Sequence, residues 1–178
     1  MISRVRAVSL IVAFLLAVPS APAQQGTEQD TPQCHHKTDS SQMDHEAMME
    51  RGEKGMGFSQ AKTTHHFLLK SDGGVIAVAA NDPKDAATRD QIRMHLSHIA
   101  RAFSQGDFEI PMFVHDRMPP GVASMKRLQD LIHYRFTPTD AGGEDVVSSD
   151  SPEAVEAIHE FLTFQIREHK TGDPLKAE

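Results

Sequence analysis

One pattern occurs twice in this chain and limits what it can fold into. Residues 64–82, THHFLLKSDGGVIAVAAND, read as strand, glycine-rich turn and strand. A helical segment follows, in which Ile92, Leu96, Ile99 and Phe103 recur at helical spacing. Residues 131–150, LIHYRFTPTDAGGEDVVSSD, repeat the order, and the helix after them carries Val155, Ile158, Leu162 and Ile166. In the first hairpin, pairing Lys70 with Val75 sets Leu69 beside Ile76 and Phe67 beside Val78, an apolar face of period two. In the second, Ile132, Tyr134 and Phe136 share a face with Val146 or Val147. Asn81 or Asp82 caps the first helix, with Pro83 in its first turn. Ser151 caps the second, with Pro152 in its first turn. Two ββα units close most simply as an α+β fold, a four-stranded antiparallel sheet with two main helices packed on one face. The other face then carries His66, Leu68, His133 and Arg135, and is solvated, a ligand site or a homodimer surface.

The ends of the chain read differently. Residues 1–23 hold Arg4 and Arg6, an apolar run and the small-residue stretch SAPA, the pattern of a secretory leader cleaved near Ala23. The apolar run is short for a bilayer span, so no membrane insertion of the mature chain is expected. This places the protein in the periplasm. Losing Arg4 and Arg6 takes the formal net charge from -7 to -9, which disfavours nucleic acid as a partner. A single cysteine excludes an internal disulfide, so the domain stands on packing alone.

Residues 24–57 are polar and read as a flexible tail, with residues 58–172 as the domain and 173–178 as a short C-terminal tail. The tail concentrates soft ligands: Cys34, His35, His36, Met43, His45, Met48 and Met49 fall within one short stretch. Ser41 caps one short helix there, which sets His45 and Met49 on a common face. Thioether and imidazole side chains suit Cu(I), and imidazole also suits Cu(II) and zinc. The segment MDHEAMM resembles the Met-His motifs of periplasmic copper-resistance proteins, which implies copper capture.

Within the domain, adjacent His65 and His66 diverge on a strand and cannot chelate one ion together. His65 is read as a satisfied core histidine, and His66 as a ligand candidate beside His133 on the open face. His95 and His98 stand three apart on the first helix. The Pro-rich connection between the two units holds PMFVHDRMPPG, read as a rigid loop, with a short helix from Val122 to Gln129 after it. There His115 and Asp116 stand with Met118, as ligands or as an acid–base pair. No CxxCH, GxSxG, phosphate loop or GxGxxG is present.

From MMERGEKGMGFSQ through GGVIAVAANDPKDAATRDQIRMHLSHIARAF, GDFEIPMFVHD, IHYRF and FQIREHKTGDPL, the chain resembles a family of small exported bacterial proteins. Members of that family often carry the label aspartate carbamoyltransferase. Those enzymes use a Ser-Thr-Arg-Thr phosphate loop and a His-Pro motif; here only ATRD, at Ala87 to Asp90, overlaps the first. The residues therefore favour a binding protein over an enzyme. The expected function is buffering or delivery of copper, with another periplasmic metal-handling protein as partner. Alternatives are a small enzyme or haem b-binding domain and a dimerising interaction domain.

Overall fold

The computed structural model describes residues 40–177, with side chains from Asp44 onward. Cys34, His35, His36 and the Met43 side chain lie outside the described residues. The elements are α1 (Ser40–Met56), β1 (Thr63–Lys70), β2 (Gly73–Ala80), α2 (Ala86–Ser104), α3 (Glu109–His115), α4 (Val122–Arg127), β3 (His133–Pro138), β4 (Gly142–Ser148) and α5 (Pro152–His169). Single 3₁₀ turns precede β1 and β3.

The two hairpins join through β2 and β4 into one antiparallel sheet of order β1-β2-β4-β3. α5 packs against β1 and β2, while α2 lies chiefly on β3 and β4. Each main helix therefore covers the hairpin of the other unit. Each also holds that hairpin's turn. The His159 Nε2–H donates to the carbonyls of Lys70 (2.8 Å) and Gly73 (2.9 Å). Arg93 donates to the carbonyls of Gly142 and Thr139. The core sits between sheet and helices, with Ile92, Leu96, Ile158 and Leu162 almost wholly excluded from solvent.

The first hairpin closes more tightly than the expected pairing. Lys70 pairs with Gly73 and Phe67 with Ile76, so Ser71 and Asp72 alone make the turn. Gly73 and Gly74 belong to the strand for steric reasons. A Cβ on Gly73 would lie 2.1 Å from the Val147 carbonyl oxygen, and one on Gly74 would lie 2.2 Å from Leu162 Cδ1. The shift is two residues, so the inward face is unchanged. On β4 it is Val147 that points inward, at 2 % exposure.

Other boundaries also move. α2 starts at Ala86, capped by Asp85, whose carboxylate accepts the Thr88 N–H, and not by Asn81 or Asp82. The stretch around PMFVHD is helical as α3, not a loop. Its Pro111 lies in the first turn, where a missing N–H breaks no helical bond. Asp116 ends α3 in the left-handed region at φ 52°.

α1 is longer than the short tail helix expected, and it packs on α3, so the domain body begins before residue 58. Arg51 Nε donates to the Val114 carbonyl at 2.8 Å. A Cβ on Gly55 would lie 3.3 Å from Val114 Cγ2 and in ordinary contact with Phe113 and Ile110, so α1 and α3 pack closely there. Met48 is buried at 3 % exposure.

At the other end, Asp173 covers the free edge of β1. Its carboxylate accepts the Phe67 N–H (2.9 Å) and the Thr171 hydroxyl (2.7 Å), and pairs with His66 Nδ1 (2.8 Å). Satisfying an edge N–H this way blunts pairing with another chain. Among the described residues no helix is long and apolar enough to cross a membrane.

Candidate functional site

The core contains a cavity of about 80 Å³ between the sheet and α2, α3 and α5. Its walls are apolar (Phe67, Leu96, Ile99, Val114 and Phe161 among them), yet four imidazoles line it. His65 comes from β1, His95 from α2, His115 from the last turn of α3 and His169 from the last turn of α5. Met56 adds a thioether from the end of α1.

Each histidine arrives there for a local reason. His65 is on the inward face of β1, in register with Phe67 and Leu69. His95 precedes Leu96 on the buried flank of α2. His169 lies three residues beyond Ile166 and so extends the apolar stripe of α5. The His65 and His169 rings stack with centroids 6.0 Å apart, and His115 meets His169 edge-on at 5.2 Å. Phe58 stacks on His65 and meets His95 edge-on.

Burial holds all four rings uncharged at neutral pH. It pushes His65 and His95 down to about 4 and His169 down to about 3, with neighbouring imidazoles adding to the effect. Burial also lowers His115; its bond to Gln165 and nearby Glu168 oppose this without reversing it. His65 Nε2 and His115 Nδ1 are buried without a hydrogen-bond partner among the described residues. In the assigned orientation His115 Nε2–H donates to Gln165 Oε1 at 2.9 Å, which leaves a lone pair on Nδ1. Buried polar atoms normally find partners; the bare His65 nitrogen belongs to a cavity-lining ring, whereas His115 Nδ1 lies 4.0 Å from Glu168 Oε2, on the side of the neighbouring groove.

The geometry stops short of a closed metal centre. Among the described residues no three His, Cys, Asp or Glu side chains are grouped to hold an ion as they stand. The spacing is nonetheless of the right order, because two imidazoles bound at ~2.0–2.1 Å to one ion have centroids roughly 5–6 Å apart.

The residues expected from sequence divide between this cavity and the surface. His95 and His115 line the cavity, and His65, expected to be a satisfied core histidine, lines it with a bare nitrogen. His66 and His133 do not meet. They lie on opposite edge strands, three strand spacings apart (about 14 Å) and four residues apart in register (about 13 Å). His98 and His133 are exposed. Met118 is 52 % exposed and lines neither the cavity nor the groove beside His115. On α1, His45 and Met49 are half-buried and Met48 is buried. Sequence reading missed His169, Met56 and Gln165. Only for His169 was a signal present, the continuation of the α5 stripe by one step.

Comparison with family models, with curated proteins and with solved structures finds no match to this chain.

Proposed function

We propose that this chain is an exported metal-binding protein that buffers or delivers copper, with the ion held among the imidazoles of the core cavity. One observation carries the reading: four uncharged histidines and Met56 surround a single apolar void, and the His65 ring keeps a bare nitrogen among the described residues. Imidazole and thioether donors with no carboxylate in the lining suit Cu(I). A monovalent ion also costs less to desolvate there than a divalent one. Binding requires the rings to turn until their nitrogens converge. The soft residues Cys34, His35, His36, Met43, His45 and Met49 capture the ion and pass it along α1, whose last residue, Met56, reaches the cavity. A periplasmic metal-handling protein is the partner that this traffic calls for. The cavity size favours an ion over haem b, since pockets for organic ligands start at about 300 Å³.

Titration of the metal-free full chain with Cu(I) against a chromophoric chelator tests the reading. One equivalent is expected to survive deletion of residues 24–39 and to disappear in the double variant His65→Ala/His169→Ala. Circular dichroism checks that this variant is folded. Retention of that equivalent by the folded double variant removes the cavity from the copper reading.

A further inference from the structure

His115 borders a second concavity. It is an open groove of about 500 Å³ between α1 and the ends of α3 and α5, within the size range of small-molecule sites. In a chain of formal net charge -7, this groove gathers four permanent cations: Arg51, Arg117, Arg167 and Lys170. Arg117 is committed, pairing with Glu168 at 2.8 Å and lying over the Phe164 ring. Arg51 uses only Nε, on the Val114 carbonyl. Arg167 and Lys170 form no ion pair among the described residues. Three carboxylates, Asp44, Asp116 and Glu168, also line the groove, as does His45. The groove therefore offers acceptors as well as cations.

The His115 side chain is only 1 % exposed and sits 4.0 Å from Glu168 Oε2. Its Nε2–H is occupied by Gln165, so the unpartnered Nδ1 can accept a hydrogen bond but has none to donate. A fully ionised oxyanion brings no proton to that nitrogen and meets repulsion from Asp44 and Asp116. An oxyanion that keeps one O–H satisfies both the cations and the acceptors.

We propose that this groove binds a small protonated oxyanion of the monohydrogen phosphate type, Arg51, Arg167 and Lys170 taking its ionised oxygens and His115 Nδ1 accepting its O–H. A 2-hydroxycarboxylate presents the same chemistry, with its hydroxyl in place of the P–O–H. His115 is shared with the cavity, but the cations and the Nδ1 acceptor are all in place in the metal-free chain, so the groove is tested without copper. A site built to bond an O–H discriminates strongly against an analogue that lacks it. Sulfate matches phosphate in size and shape but carries no proton at neutral pH.

The experiment is calorimetric titration of the metal-free full chain at pH 7, with inorganic phosphate against sulfate and with glycolate against acetate. Phosphate is expected to bind at least tenfold more tightly than sulfate. A parallel preference for glycolate over acetate identifies the hydroxycarboxylate as the other source of the same chemistry; its absence narrows the ligand to phosphate. The double variant Arg167→Ala/Lys170→Ala alters exposed side chains only and is expected to weaken phosphate at least tenfold. Equal affinity for phosphate and sulfate overturns the proposal, as does phosphate binding that the double variant retains in full or that cannot be saturated in the native chain.

Discussion

His65 and His169 stack with ring planes 12° apart, one from the first strand and the other from the last turn of the last helix. Neither ring contributes apolar packing as well as a phenylalanine would, and both are held uncharged by burial. The contact closes one end of the core beside the cavity, which both rings line.

Protonation of these rings is expected to unfold the protein in acid. Their folded pKa values lie below the unfolded value of about 6.5. Their contribution is thus complete above that pH and is lost as pH falls towards about 4 for His65 and His95 and about 3 for His169. A ring lowered from 6.5 to about 4 accounts for about 3 kcal/mol when fully protonated. Urea midpoints measured from pH 7 to pH 4 should fall steeply, and His95→Phe should flatten the slope. An unchanged slope in that variant would show that the His95 ring titrates normally.

Asp145 is expected to act in the opposite direction. It points into the core from β4 at 1 % exposure, both carboxylate oxygens lack partners among the described residues, and burial pushes its carboxyl up to about 7. The folded value is raised, so its contribution is intact below about pH 4 and is lost as pH rises through about 7. The full penalty is about 4 kcal/mol. Asp145→Asn removes the ionisation. The stability difference between variant and native chain should therefore move in favour of the variant between pH 4 and pH 8. A difference that does not vary with pH would place an unseen partner on the carboxylate.

Truncation should separate the contribution of residues 24–39 from that of α1. Removing residues 24–39 is expected to leave the melting temperature unchanged. Extending the deletion through residue 57 removes Met48 and Met56 and uncovers the α3 surface around Val114. That version should melt lower and bind a hydrophobic dye, because burying one such side chain is worth about 1.5–3 kcal/mol. Equal melting of both truncated chains would make α1 dispensable.

Asp173→Ala should loosen the β1 edge. Burial works against ionisation of this carboxyl, but the Phe67 N–H, the Thr171 hydroxyl and His66 together hold it below the usual range. Its contribution is therefore present above the unfolded value of about 4 and fades as pH falls below it. Losing these bonds should cost about 1–3 kcal/mol and speed hydrogen exchange at the Phe67 amide. Exchange at the native rate would mean that the C-terminal residues contribute nothing to the edge.

The repeated strand-turn-strand-helix order was enough to specify the α+β architecture, because period-two and helical stripes such as Phe67/Leu69 and Ile92/Leu96/Ile99/Phe103 state which side of each element is inward. It also placed the Ser151–Pro152 start of α5, whose signal is local. The hairpin register was not legible, since only the packing of Gly73 under Val147 and Gly74 under Leu162 shows that the glycines are strand and not turn. α3 was hidden by Pro111, and its helical state follows from what its Val114 and His115 pack against. The candidate site depends most on tertiary structure. His65, His95, His115 and His169 are far apart in the chain, and no spacing rule connects them. The strand order β1-β2-β4-β3 separates His66 from His133, while the crossing of α2 and α5 over opposite hairpins brings the other four together. Local sequence fixes which way a side chain points from its own element; only long-range packing decides which side chains then share one cavity.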